Sequence, residues 1–204
     1  MGEIRKVFAT QVYQASLAAD AGFAGFNADL EAACRMLAQE DKAGQAWSRA
    51  HGYGGYTSYA SLDDLPRRAS VFADLQRRVS RHVGAFTDAL AFDLGPRGRL
   101  ALDALWVSAL RPGAGHSGHV HPLGVISGTY YVAVPPGAGA LRLEDPRLPL
   151  MMAAPPRRAD PPFVTLEPAA GALILWESWL RHEVLPGRGG RAERISISFN
   201  YAWR

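Results

Sequence analysis

The sequence predicts an α+β fold, with helices in its first half and about eight short strands in its second. Three observations predict it. Apolar residues recur at helical spacing before residue 98, the period changes to alternation from Leu100, and the alternating segments are separated by Gly- and Pro-rich turns. At 204 residues the chain is long enough for one substantial core and short for two. The expectation is a single domain over 1–204, in which 1–98 is mainly helical support and 99–204 carries the strands and the site.

Residues 7–13 are rich in β-branched and aromatic side chains and read as a short strand. Phe26, Leu30, Ala33, Cys34 and Leu37 then follow helical spacing, with Asn27 the expected N-cap and Gly44 the expected stop. Residues 52–59 form a loop dense in Gly and Tyr. It is either a packed surface turn or a flap that offers tyrosyl hydroxyls to an active site. After a turn and helix start at 61–66, Val71, Phe72, Leu75, Val79, Val83, Phe86 and Leu90 mark a long amphipathic helix, with His82 at its margin. Residues 95–98 end the helical half. A strand follows over 102–110, then the histidine-bearing strand, then one through Tyr130 and Tyr131. The Pro-Gly turn at 135–139 gives a hairpin signature between that last strand and residues 140–143. Residues 146–162 are Pro-rich and aperiodic, as in a lid or binding loop. Strands over 163–166, 172–176, 182–185 and 194–203 complete the chain.

Composition narrows the function classes. An apolar share of 48% and a charged share of 20% are ordinary for a folded protein. The pI of about 9.2 comes with a net charge of only +3. Lys appears only at 6 and 42, and the Arg pairs at 67–68, 77–78 and 157–158 are scattered, so no nucleic-acid footprint is seen. Cys34 is the single cysteine and fits a buried small apolar position. With neither an apolar run of membrane length nor a signal-like start, a cytoplasmic location is expected.

The chemistry concentrates in His116-Ser117-Gly118-His119-Val120-His121-Pro122. On an extended strand His119 and His121 point the same way, about 7 Å apart at the backbone, so both can reach one metal ion. His182 is a plausible third donor, and Arg194-Ile195-Ser196 follows within the last strand. Arg194 suits a carboxylate, because guanidinium grips it with two parallel bonds and stays charged. Ser196 projects from the same face. Glu144, Asp145 and Glu183 are alternative carboxylate donors, of which Glu144 competes most seriously with His121. Tyr130 and Tyr131 point to opposite faces, and Tyr131 is assigned to the co-substrate. His116 is a candidate neighbour of the site.

The run from Trp106 to Trp203 also resembles a family: the small bacterial and phage 2-oxoglutarate/Fe(II)-dependent oxygenases of the double-stranded β-helix class. The blocks that carry the likeness are His119-Val120-His121-Pro122, Ser127-Gly128-Thr129-Tyr130-Tyr131, Glu144-Asp145-Pro146-Arg147, Trp179-Leu180-Arg181-His182 and 194–200. The resemblance implies a jelly roll with the N-terminal helices packed on its outer face. It implies Fe(II) on His119, His121 and His182, with Arg194 and Ser196 on the distal carboxylate of 2-oxoglutarate. The departure is His121, where most members of the wider superfamily place Asp or Glu.

Three functions are compatible with these residues. The first is an Fe(II)- and 2-oxoglutarate-dependent oxygenase that hydroxylates an unidentified small molecule or peptide. The second is a cupin-like three-His metalloenzyme that does not use 2-oxoglutarate, and the third is a metal-stabilised sensor or binding module. The Arg-x-Ser pair favours the first, since the second has no need of a carboxylate grip. No nucleic-acid or membrane partner is expected, and the oligomeric state is open, a homodimer included.

Overall fold

The computed structural model describes the chain apart from residues 1, 6, 148–152, 154, 156–158, 160 and 189. Most of the expected loop over 146–162, and the Arg pair at 157–158, therefore lie outside the described residues. The described elements are β1 (Val12–Ser16), α1 (Phe23–Glu40), α2 (Lys42–Ala50), β2 (Gly55–Thr57), a 3-10 turn (Leu65–Arg67), α3 (Ser70–Ala89), β3 (Leu100–Leu110), β4 (His116–His119), β5 (Ile126–Ala133), β6 (Leu141–Glu144), β7 (Phe163–Leu166), β8 (Ala172–Glu177), β9 (His182–Val184) and β10 (Arg194–Trp203). The α+β class holds. Among the described residues no helix is long and apolar enough to cross a membrane.

The strands form two antiparallel sheets. One has the order β1-β8-β5-β10-β3-β2, the other β4-β9-β6-β7. Alternation along each strand divides the core in two. Ile195, Ile197, Phe199 and Tyr201 of β10, with Leu105, Val107 and Ala109 of β3, pack against Leu30 and Cys34 of α1 and against Phe72, Leu75, Val79, Val83 and Phe86 of α3. On the opposite face Tyr131, Ile174 and Trp176 of the large sheet meet Leu141 and Leu143 of the small one, together with Leu180. A fully buried side chain of this size stabilises by about 1.5–3 kcal/mol, so packing outweighs capping in fixing α1. That helix has no side-chain cap and no acidic residue in its first turn.

Several expected boundaries move, each for a local reason. Asn27 lies inside α1, where its Nδ2 donates to the Val132 carbonyl (3.0 Å) and its Oδ1 accepts from the Tyr130 hydroxyl (2.9 Å). It ties the helix to β5 rather than starting it. The break between α1 and α2 is made by Asp41, whose Oδ1 accepts from the Gly44 N–H at 2.9 Å. Gly44 is a cap partner within α2, and a Cβ there would sit 2.2 Å from the other Asp41 oxygen. The first strand is displaced to Val12–Ser16, since pairing with β8 decides its position and Phe8, at φ 58°, interrupts the extended run before it. The turn at 135–139 is not a hairpin. It carries the chain from β5 in the large sheet to β6 in the small one. β2 adds an edge strand inside the Gly/Tyr loop, paired to β3.

Candidate metal centre

Sheet register brings the histidines together. His119 and His182 are direct partners across β4 and β9, which puts their side chains on one face at the shortest cross-strand separation. β4 ends at His119, so His121 does not reach the site by strand alternation. Its backbone N–H donates to Ser178 O (3.0 Å), and its ring is held from β5 and β10. The ring centroids are 4.4 Å apart for 119–182, 4.9 Å for 121–182 and 5.1 Å for 119–121. One ring nitrogen from each lies within 4.8 Å of the other two.

The second nitrogen of each ring is already engaged. Nδ1 of His119 faces Ser117 O at 2.8 Å and Nδ1 of His182 faces Leu180 O at 2.8 Å. A carbonyl oxygen only accepts, so both Nδ1 atoms carry hydrogen. Nδ1 of His121 lies 2.6 Å from Asn200 Oδ1 and 2.8 Å from Ser127 Oγ. All three Nε2 atoms are therefore left with bare lone pairs, the state in which imidazole binds a metal. Burial first, and then neighbouring histidines for His121 and His182 and the Arg181 charge for His119, holds them neutral. His182 is pushed down to about 3 and His121 to about 4, while His119 is lowered chiefly by burial. His116 stacks 4.3 Å from His119 and is also pushed down to about 4, by burial, the His119 and His121 rings and the Arg194 charge.

The competing carboxylates are committed elsewhere. Glu144 Oε2 accepts from Arg181 Nε at 3.0 Å, Glu183 Oε1 from Arg142 Nε at 2.5 Å, and Asp145 from Arg147 at 2.8 Å. Glu144 and Glu183 alternate with Leu143 and His182 along their strands and so point to the outer face of the small sheet. Among the described residues none of the three joins the histidine group.

Arg194 lies on the inner face of β10, 5% exposed. Its Nη1 donates to Ser196 Oγ at 3.2 Å and its Cζ stands 4.8 Å from the Tyr131 ring centre. Among the described residues its Nε has no hydrogen-bond partner, nor has the buried Tyr131 hydroxyl. No carboxylate forms an ion pair with Arg194 among the described residues. A buried charge without a counter-ion is costly, and an anion placed here would offset that cost. Ser196 faces Ser108 on β3 and Tyr131 on β5, and the register of β5 slips by one residue at this point. Bulges of this kind re-aim side chains beside active sites. Tyr131 is thus the inward member of its pair, and Tyr130 faces the helices.

Two neighbours were not singled out by sequence reasoning. Trp106 stands edge-on to His121 at 5.7 Å. Tyr53, from the Gly/Tyr loop, stands edge-on to His116 at 5.4 Å. The loop's composition was a signal, but only the fold selects Tyr53 from the three tyrosines of that loop.

Residues 104–200 match the family model described as "Putative 2OG-Fe(II) oxygenase". No curated protein matches the chain. Among solved structures, a prolyl-4-hydroxylase from Pseudomonas putida is similar at 20% identity and a TM-score of 0.62, covering 95% of this chain and 92% of that one. The epimerase SnoN, solved with Fe3+, alpha ketoglutarate and nogalamycin RO, is similar at 14% and 0.60, covering 95% and 79%. HygX from Streptomyces hygroscopicus, solved with nickel and 2-oxoglutarate bound, is similar at 13% and 0.58, covering 95% and 82%. At these identities the likeness is one of fold.

Proposed function

Because residues 104–200 match the 2OG-Fe(II) oxygenase family model, we propose that this chain is an Fe(II)- and 2-oxoglutarate-dependent oxygenase acting on an unidentified substrate. One observation carries the reading: a buried Arg194, with no counter-ion among the described residues, faces the same inter-sheet space as three histidines with free Nε2 atoms. A metal site alone has no use for that cation. A dicarboxylate that spans metal and guanidinium uses both.

The strand order supports a jelly roll. β3 to β10 divide between two four-stranded sheets, β8-β5-β10-β3 and β4-β9-β6-β7, the chain crossing from one to the other at every step except the β6–β7 pair, and α1 and α3 lie on the outer face of the first. β1 and β2 extend its edges. Inward residues of such a fold surround a mouth in which a small ligand can sit.

His119, His121 and His182 would hold the iron, a donor set that imidazole chemistry allows for Fe as for Zn, Cu and Ni. When bound, Fe(II) with 2-oxoglutarate supplies O₂-dependent oxidation coupled to loss of the co-substrate's 1-carboxylate as CO₂. The chain's own groups do the positioning. Ser117 O, Leu180 O and Asn200 Oδ1 fix the three rings through their Nδ1 atoms. Arg194, Ser196 and the Tyr131 hydroxyl would grip the distal carboxylate, while Tyr131, Trp176 and Leu143, which pack together, would exclude water around the ion pair and so strengthen it.

Titration with 2-oxoglutarate under nitrogen, with and without Fe(II), tests the reading. Binding should tighten when Fe(II) is present, and His182→Ala should lose both the metal and that enhancement. Metal uptake with no 2-oxoglutarate binding would shift the assignment to the cupin-like metalloenzyme.

A further inference from the structure

On that reading of Arg194 and the histidines, we infer that Tyr53 is a further grip on the distal carboxylate of the co-substrate, delivered by the helical half of the chain. The loop that carries it is pinned on both sides. The Tyr53 N–H donates to Ser48 O of α2 (2.8 Å), and the Arg111 N–H at the end of β3 donates to Gly54 O (3.0 Å). The two following glycines allow this close approach. A Cβ at Gly54 would lie 2.4 Å from the Ala114 Cβ, and one at Gly55 would lie 2.0 Å from Ala109 O. Side chains are therefore excluded at 54 and 55, and the backbone lies flat on β3 with the Tyr53 ring turned inward against His116, half-buried.

Ser108, whose Oγ donates to Thr57 Oγ1, and the Arg194 guanidinium are both near enough to act on the Tyr53 hydroxyl. Ser108 is the cross-strand partner of Ser196, which in turn faces Tyr131. Tyr53, Ser108, Ser196, Tyr131 and Arg194 thus converge on one spot from four segments of chain. Burial pushes the Tyr53 phenol above its ordinary range, with Ser108 and Arg194 offsetting part of the rise. The group keeps its proton at neutral pH and is a hydrogen-bond donor. Donors converging on a spot that already holds a cation with no ion pair among the described residues suit a carboxylate. The His116 ring, wedged between Tyr53 and His119, separates the phenol from the metal ligands, so the grip acts on the far end of the co-substrate.

Tyr53→Phe removes one oxygen and keeps the ring. Calorimetric titration of the Fe(II)-loaded protein under nitrogen should show 2-oxoglutarate binding weakened about tenfold or more, the usual loss for a hydrogen bond to a charged group. Binding of 2-oxobutyrate, which keeps the metal-chelating end but has no distal carboxylate, should be unchanged, as should metal content. Equal 2-oxoglutarate affinity in the variant and the parent overturns the inference, and so does an equal loss for both ligands, which marks a packing role. If Arg194→Ala weakens 2-oxoglutarate and Tyr53→Phe does not, Tyr53 alone falls. If the unsubstituted protein binds no 2-oxoglutarate, the oxygenase reading falls with it.

Discussion

Nδ1 of His121 donates to Oδ1 of Asn200 at 2.6 Å across 79 positions of sequence, the shortest ring contact made by any of the three candidate ligands. The bond joins a ring that lies beyond the end of its own strand to the inner face of β10. His119 and His182 take their tautomer from a carbonyl two residues earlier in their own chain segment. His121 depends instead on tertiary structure.

Asn200→Ala should therefore loosen the metal while leaving all three ligands in place. Partners of this kind are worth about 10- to 100-fold in affinity. Competition against a chelator measures it, and Asn200→Asp, which keeps an acceptor, should hold the metal more tightly than Asn200→Ala. Equal affinity in Asn200→Ala and the parent would mean that Ser127 alone orients the ring.

The third ligand can be tested by substitution. His121→Asp should retain a site and convert it to the two-His-one-carboxylate arrangement, whereas His121→Ala should lose most of its metal. Glu144→Ala should cost none, because that carboxylate is paired to Arg181 on the outer face. Elemental analysis of the three variants decides among them.

Four neutral histidines set the acid response of the metal-free protein. Unfolded, each titrates near pH 6.5. Folded, His116 and His121 wait until about 4 and His182 until about 3, and His119 is lowered as well, chiefly because burial disfavours the charged form. Between these limits the unfolded chain binds protons that the folded chain refuses, so stability rises with pH there. Urea melts in chelator should show full stability above about pH 7 and a steady loss from about 6.5 towards 4.5. His182→Asn should flatten that slope. An unchanged slope would mean that another group carries it.

Much of this arrangement was legible because it is local. The 3.6-residue stripe of α3 and the period-2 pattern of β10 are written in neighbouring residues, and both elements fall where the periodicity puts them. Arg194 and Ser196 share a face for the same reason. What was not legible depends on partners distant in sequence. Asn27 has the chemistry of a cap, yet Tyr130 and Val132, more than a hundred positions away, recruit it from within the helix. The Pro-Gly turn after β5 has the composition of a hairpin, but β5 finds its neighbours in β8 and β10, and β6 finds its own in β7 and β9. His119 and His121 do meet as the spacing suggests, though the strand stops short of His121 and Asn200 completes the placement. Tyr53 was visible only as one of several aromatics in a glycine-rich loop. The β2–β3 register singles it out.

Under the proposed function Arg194 separates an oxygenase from the other metal-binding functions, because there it would be needed only by a carboxylate-bearing co-substrate. Arg194 is 5% exposed, and among the described residues its Nε is unpartnered and its only side-chain hydrogen bond is to Ser196. Truncating one member of a buried charge pair costs roughly 2–5 kcal/mol. At about 1.4 kcal/mol per decade, Arg194→Ala should weaken 2-oxoglutarate by about 30- to 3,000-fold. Metal content should stay the same, since the ligand group consists of the three histidines. Arg194→Lys should recover only part of the affinity, because an ammonium is a point charge that cannot make two parallel bonds. Arg191 is the control: it precedes β10, is exposed, and should be replaceable by Ala at no cost. Arg194→Ala should also be the more stable protein when no ligand is present, since the substitution removes an uncompensated buried charge. A melting temperature that rises in the metal-free variant while 2-oxoglutarate affinity collapses would identify Arg194 as a residue kept for its ligand. A fall in both would make it a structural residue and leave the anion pocket without a purpose.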